Sequence, residues 1–289
     1  MTMHKTLISF SLVAATLIGT SSPVYANESG SKTLSTVLAG MPDKAKARFD
    51  ARHPQQTLDF FGVKPGMTVL EALPGGGWYS KVLLPYLGEN GVLLGADYAV
   101  NMYPKFGFFS KEQLKEKETW VADWTKEANG WRNDHSAKVQ AFNFGSMPKN
   151  LNGTADAVLF IRALHNLARF ENDGGYLSAA FKDAYDSLKP GGIVGVVQHM
   201  IPESADDKGA DGSRGYLKKS FLIAAMEKAG FKFVASSDIN LNPKDQPSAT
   251  DIVWRLPPTY FIPKKDANKK AEYTAVGESN RMTLKFVKP

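Results

Sequence analysis

Cysteine is absent from all 289 residues. That excludes a disulfide framework, a thiolate metal site and a catalytic thiol. It also excludes a lipid anchor attached to a cysteine at a signal cleavage site. A strong charge excess is missing too: 35 Lys and Arg stand against 29 Asp and Glu, a formal net charge of +6. The dense basic cluster, Lys264-Lys265 with Lys269-Lys270, is split by Asp266 and carries no interleaved aromatics. Proteins that hold single-stranded nucleic acid need such stacking platforms, so this cluster reads as a solvated face and no nucleic-acid partner is expected. The five histidines show no His-Glu-x-x-His or similar spacing, so no metal is expected. There is no Gly-x-Ser-x-Gly elbow and no Gly-Lys-Ser/Thr loop, which argues against an α/β-hydrolase and a nucleotide triphosphatase. Internal repeats and low-complexity segments are also missing.

Long hydrophobic runs are scarce. The apolar run Leu7 to Gly19 has thirteen residues, whereas a membrane-crossing helix needs about 20. His4 and Lys5 precede it and Val24-Tyr25-Ala26 follows it, which is the pattern of a secretory signal cleaved after Ala26. The expected mature chain is then Asn27 to Pro289, 263 residues with a net charge of +5 (34 basic, 29 acidic). It is periplasmic or secreted, without a stable membrane anchor, and long enough for one large α/β domain.

What is present alternates strand and helix patterns. Ser31 to Phe61 reads as amphipathic helices interrupted at Pro42 and Pro54, a helical cap over residues 27–66. Strands are expected at Met67–Leu73, Gly91–Asp97, Val139–Phe144, Ala155–Ile161, Ile193–His199, from Phe231 to about Ile239, and at Met282–Val287. Helices are expected at Trp78–Leu87, from the Ser110 capping box to about Ala128, at Tyr176–Leu188 and at Leu217–Ala229. Such alternation means a mostly parallel sheet with helices on both faces. Residues 67–289 form that domain. Residues 242–278, rich in proline and polar side chains, read as an insertion of the kind that forms a lid or a passive excursion.

The informative stretch is Leu70-Glu71-Ala72-Leu73-Pro74-Gly75-Gly76-Gly77-Trp78-Tyr79. A glycine-rich turn between strand and helix lets backbone come close to a ligand and aims amides at it. Asp97 ends the next strand, 20 residues beyond Gly77, where an acid holds ribose hydroxyls in nucleotide-binding α/β folds. Leu73 stands where a first glycine is usual and Ser80 where a dinucleotide would want a third. S-adenosylmethionine carries no phosphate and tolerates a looser loop.

From about Ala51 to Pro289 the chain resembles the class I S-adenosylmethionine-dependent methyltransferases. The matching pieces are VLEALPGGGWYS, GADY, ADAVLFIRALHNL, LKPGGIVGVVQH and EKAGF. It is most similar to an exported branch that combines the ALPGGGWY loop with an ending like ESNRMTLKFVKP. The resemblance implies a Rossmann-like seven-stranded sheet whose last strand is antiparallel and lies beside the fifth. It implies that Glu71, Leu73, Pro74, Gly75, Gly76 and Gly77 surround the methionine end of the cofactor and that Asp97 binds its ribose. The usual adenine-contacting acid is replaced by Asn143-Phe144-Gly145-Ser146, leaving Phe144 as a candidate for stacking on the ring.

Methyl transfer from a sulfonium mainly asks a protein for orientation and, where needed, a base. Arg162-Ala163-Leu164-His165-Asn166 follows the fourth strand, whose end lies beside the transferring methyl group in this family. His165 is the candidate base because an unperturbed imidazole titrates near neutrality; the alternative is a histidine that only caps the strand end. Arg162 and Asn166 are candidates for orienting an acceptor carboxylate or amide, with Arg162 equally able to pair with Glu71 or Asp97. His199 faces the same rim, and Arg52-His53-Pro54 is a candidate for the pocket roof. Trp78 and Tyr79 read as core. The expected function is methyl transfer to a small-molecule acceptor. Two alternatives are a non-catalytic exported binding protein on the same fold and, disfavoured by Ser80, an NAD-dependent oxidoreductase.

Overall fold

The computed structural model describes residues 32–262 and 266–289. The expected signal segment, its cleavage site and Lys264-Lys265 lie outside the described residues. Seven strands form one sheet: β1 (Thr68–Ala72), β2 (Val92–Asp97), β3 (Lys138–Asn143), β4 (Ala155–Ile161), β5 (Leu188–His199), β6 (Lys232–Ser237) and β7 (Arg281–Val287). Their spatial order is β3-β2-β1-β4-β5-β7-β6. The first five run parallel, with Leu70 of β1 level with Leu94 of β2 and Val158 of β4. β7 alone runs against its neighbours, pairing Leu284 with Val196 of β5 and with Ser236 of β6. This is the Rossmann-like methyltransferase sheet that the resemblance implies.

Strand residues alternate between two apolar layers, as a sheet buried on both faces requires. On one face Leu70, Leu94, Phe160, Val196 and Leu284 pack with Ala180 and Phe181 of the helix Tyr176–Ser187 and with Leu222 and Met226 of Lys219–Lys228. On the other, Val69, Leu93 and Leu159 pack with Leu83 and Leu84 of the helix Ser80–Leu87. The N-terminal helices share this second layer through Leu34, Val37, Leu58 and Phe61.

Three boundaries depart from the sequence reading. Pro42 and Pro54 do not end helices but open them: Pro42 is the N-cap of Asp43–Lys46 and Pro54 the first residue of Pro54–Phe61. Proline suits those positions because a first-turn N–H has no intrahelical partner anyway. The polar helix with the Ser110–Gln113 capping box stops at Glu118, and a second helix runs Trp120–Gly130. The break falls at Thr119, whose hydroxyl bonds the Glu116 carbonyl and the Asp123 carboxylate, competing with the helical ladder. Finally, Lys189 to Gly192 is not a turn before β5. It lies within the strand, at an irregularity opposite Ala155 and Ala157.

The 242–278 insertion is tied to the sheet by a buried network. Arg255 donates to Asp245 (2.8 Å) and to the Tyr216 hydroxyl (2.7 Å), and the Asn280 amide donates to the other Asp245 oxygen (2.9 Å). Its 253–259 stretch is thereby held over the end of β4.

Gly195 of β5 shows how tightly the second layer is closed: a Cβ there would stand 2.5 Å from the Phe61 ring. Overpacking of this kind costs about 1–3 kcal/mol. Gly195→Ala is expected to lower the urea midpoint accordingly, and Phe61→Leu in the same chain to recover part of it. An unshifted midpoint in the single variant would show that the N-terminal helices are not docked as described.

Candidate functional site

The loop after β1 leaves the sheet through residues held in the left-handed region. Leu73 has φ 52°, Gly75 φ 54° and Gly77 φ 72°. Leu73 thus occupies a position whose backbone suits glycine, in keeping with the glycine usual there. The two glycines differ. A Cβ on Gly77 would stand 2.3 Å from the Trp131 ring, so its missing side chain is required by packing, whereas Gly75 faces nearly open space and Gly76 open space. Of these three, Gly75 and Gly76 therefore present a surface a ligand could approach.

Glu71, second last in β1, is buried and accepts a 2.6 Å bond from the Ser80 hydroxyl at the start of the next helix. Ser80, the residue that breaks the dinucleotide pattern, fastens that helix to the strand. Burial pushes the Glu71 carboxyl up to about 7, opposed by the Ser80 bonds. Asp97 ends β2 with each oxygen engaged, one by the Tyr98 amide at 2.8 Å and the other by the Tyr103 hydroxyl at 2.6 Å. Desolvation raises its pKa despite both bonds. Each carboxylate oxygen retains a free lone pair, so the acid can still accept from a ribose. Phe144 does not offer the adenine-stacking face expected of it. Its ring stacks on Phe160 within the core and is 1% exposed, so it presents no free face to an adenine. Asn143 beside it donates to the Tyr98 carbonyl.

A second group of residues lies at the end of β4. Arg162 also has a left-handed backbone, φ 60°. Together with His165, His199, Arg52, Trp254 and Glu278 it lines a cavity of about 270 Å³. The His165 and His199 ring centres are 5.5 Å apart, and Trp254 of the insertion stands edge-on to His165 at 5.7 Å. The sequence candidates His165, Arg162 and His199 are thus brought together. Asn166 is held differently, donating to the Tyr98 hydroxyl at 3.0 Å. Of the proposed roof, Arg52 faces the cavity while His53 and Pro54 line a separate groove.

The expectation for His165 as a base poised at neutrality needs revision. Burial drives its pKa down to about 4, with Arg162 adding to the fall and the Gln198 hydrogen bond opposing it. It is a neutral imidazole near pH 7, and its buried Nδ1 has no partner among the described residues. His199 is likewise depressed by burial and by neighbouring charge, and its Nδ1 lies 2.5 Å from the Ser279 hydroxyl.

The sequence reading missed Glu278, Arg281 and Arg48. Glu278 accepts from Arg48, Arg52 and Arg281 and lies 3.6 Å from Arg162. Burial favours its neutral form, but the guanidinium groups of Arg52, Arg281 and Arg162 outweigh burial and hold its pKa below the ordinary value. The signal was present: Glu278 and Arg281 belong to the ESNRMTLKFVKP ending, though nothing local showed what they face.

No protein-family model matches the chain. It is 25% identical over 234 residues to the sterol 24-C-methyltransferase erg6 of Schizosaccharomyces pombe, covering 76% of this chain and 53% of that protein. It is 24% identical over 220 residues to that of Aspergillus fumigatus, covering 72% and 49%. The chain therefore spans about half the length of the curated relatives it matches. Among solved structures it superposes on the geranyl diphosphate C-methyltransferase of Streptomyces coelicolor A3(2) with a TM-score of 0.51 and 14% identity, over 92% of each chain.

A folded-state pKa of about 7 for Glu71, against an ordinary 4.5, means the folded chain holds this proton more tightly. Its contribution to stability is present below pH 4.5 and is lost as pH rises through 7, a loss on the order of 3 kcal/mol. Glu71→Gln keeps an acceptor for Ser80 and cannot ionise. It is expected to flatten the pH dependence of the melting temperature between pH 5 and 8 and to melt above the unaltered chain at pH 8. Parallel pH profiles for the two proteins would refute the assignment.

Proposed function

We propose that this chain is a class I S-adenosylmethionine-dependent methyltransferase that binds S-adenosylmethionine and methylates a small-molecule acceptor outside the cytoplasm, a reading supported by its fold and by the curated proteins it resembles. One observation carries the reading. The β3-β2-β1-β4-β5-β7-β6 sheet places the Gly75 turn, Asp97 and the Arg162–His165 segment at the same carboxyl edge. In open α/β sheets ligands bind at that edge, where the strand order reverses, and here the reversal falls between β1 and β4.

The residues fit the cofactor. Gly75 leaves room for the methionine end against the loop backbone, and Asp97 is in place to accept from ribose hydroxyls. Bound there, S-adenosylmethionine would supply an activated methyl group for the acceptor and leave as S-adenosylhomocysteine. Arg162 and Trp254 orient the acceptor. Neutral His165 can accept a hydrogen bond from an acceptor hydroxyl or amine, and as a weak base it directs the attacking lone pair more than it removes the proton, which passes to solvent. The relatives and the structural neighbour named above act on sterols and on geranyl diphosphate, which favours a small molecule as acceptor. Export rests on the expected signal before Asn27.

The mature chain is expected to bind S-adenosylmethionine and S-adenosylhomocysteine in calorimetric titration and not NAD. Asp97→Ala should weaken that binding by roughly 1–3 kcal/mol, the cost of an unpaired buried polar partner. Gly75→Val should abolish it while the protein still folds. Binding of NAD alone, or undiminished cofactor affinity in both variants, would sink the assignment. Export is read separately, by the mass of the recovered protein: a chain beginning at Asn27 agrees with it, and an uncleaved chain held in the cytoplasm does not.

A further inference from the structure

The cavity beside β4 carries a charge imbalance that methyl transfer by itself does not require. Arg48, Arg52, Arg162 and Arg281 converge on Glu278, four positive charges on one negative. Among the described residues no second carboxylate joins them in an ion pair. Three of the four guanidinium groups hydrogen-bond the Glu278 carboxylate: one oxygen takes Arg48 and Arg52, the other takes Arg281 at 2.9 Å. Arg162 is left over. Its guanidinium reaches Glu278 only at 3.6 Å and makes no side-chain hydrogen bond among the described residues, while the side chain is 22% exposed along the cavity.

Burial and the like charges of Arg52 and Arg281 push the Arg162 pKa down to about 9, an arginine under strain from its neighbours. Two buried nitrogens nearby also lack partners, Nε of Arg281 and Nδ1 of His165. The Arg52 guanidinium lies 4.7 Å over the Trp78 ring, and Trp78 directly follows Gly77 of the cofactor loop. The uncompensated charge therefore sits beside the methyl-donor loop and not on a remote surface.

Buried charges are tolerated when paired, and guanidinium groups match planar oxyanions through paired N–H donors. We propose that the methyl acceptor carries an oxyanion, a carboxylate or a phosphate, and that Arg162 with Arg52 binds it in this cavity. The inference rests on the methyltransferase reading for the word acceptor, but the oxyanion site stands on the arginines alone. The cavity, about 270 Å³, admits a small molecule. Trp254 and the Leu256–Thr259 stretch supply apolar walls for the remainder of it. The charged end then fixes orientation and presents the rest of the molecule to the rim where the loop begins.

The test is calorimetric titration of the whole mature chain with sodium phosphate, with succinate and with its uncharged analogue succinamide, in a low-chloride buffer. Binding of succinate or phosphate without binding of succinamide is expected, and whichever of the two anions binds identifies the head group. Arg162→Gln should weaken that binding at least tenfold. It should also melt at or above the temperature of the unaltered protein, because it removes a repelled charge. Arg162→Lys, which keeps the charge and loses the fork, should fall between the two. Failure of both anions to bind, equal binding of succinamide, or undiminished affinity in Arg162→Gln overturns the inference. S-adenosylhomocysteine titrated into the unaltered chain reports on the other claim. Its binding without any anion binding overturns only the oxyanion site, and anion binding without it overturns the methyltransferase reading instead.

Discussion

A single carboxylate, Glu278, ties together three parts of the chain that lie far apart in sequence. It takes Arg48 and Arg52 from the N-terminal helices, Arg281 from the start of β7, and stands close to Arg162 at the end of β4. Desolvating five charged groups costs several kcal/mol for each, and the attraction offsets this only where the hydrogen bonds are nearly complete. They are nearly complete on the carboxylate and incomplete on the guanidinium groups. The cluster therefore fixes the N-terminal helices over the sheet edge and at the same time leaves an electropositive wall. Arg52, held by Glu278, packs on Trp78 and so couples that wall to the glycine loop.

Backbone strain marks the same edge. Leu73 and Arg162 both have left-handed backbones and both directly follow adjacent strands. A non-glycine residue in that region costs on the order of 1–3 kcal/mol and persists only where its surroundings dictate it. Here the dictating contacts are visible. The Leu73 amide donates to the Ala96 carbonyl of β2 at 2.7 Å, and the Arg162 amide donates to the Val197 carbonyl of β5 at 2.6 Å. The two chains are thus drawn apart, one toward each half of the sheet, and the crevice between them is the place where the strand order reverses. The strain and the crevice have one origin, the switch from β1-β2-β3 on one side to β4-β5 on the other.

Burial then changes what the side chains along this edge can do. A carboxylate, an imidazole and a guanidinium, ordinary at Glu71, His165 and Arg162 in an extended chain, are each displaced toward the neutral form. For His165 and Arg162, which line the cavity, such displacement favours orientation over proton transfer. It suits a reaction whose leaving group is already activated, since displacement at a sulfonium carbon asks mostly for alignment.

The sequence by itself determined what depends on neighbours along the chain. Apolar runs bounded by glycine and proline were enough to locate all seven strands, because the pleat and the burial of both sheet faces leave a local trace. The Ser110 capping box and the glycine turn after β1 were legible for the same reason. Proline was harder: Pro42 and Pro54 signal a helix boundary, but whether they close one helix or open the next depends on the chain's path. The tertiary structure alone decided the site. Phe144 became core when Phe160 stacked on it, and Gly77 proved to answer Trp131, 54 residues away. His165 lost its neutral pKa through desolvation, which no spacing encodes. Arg48 and Glu278 are 230 residues apart in sequence and meet in one ion pair. Coulomb attraction and the loss of water act through space, so residues bound by them carry no common pattern until the sheet has brought them together.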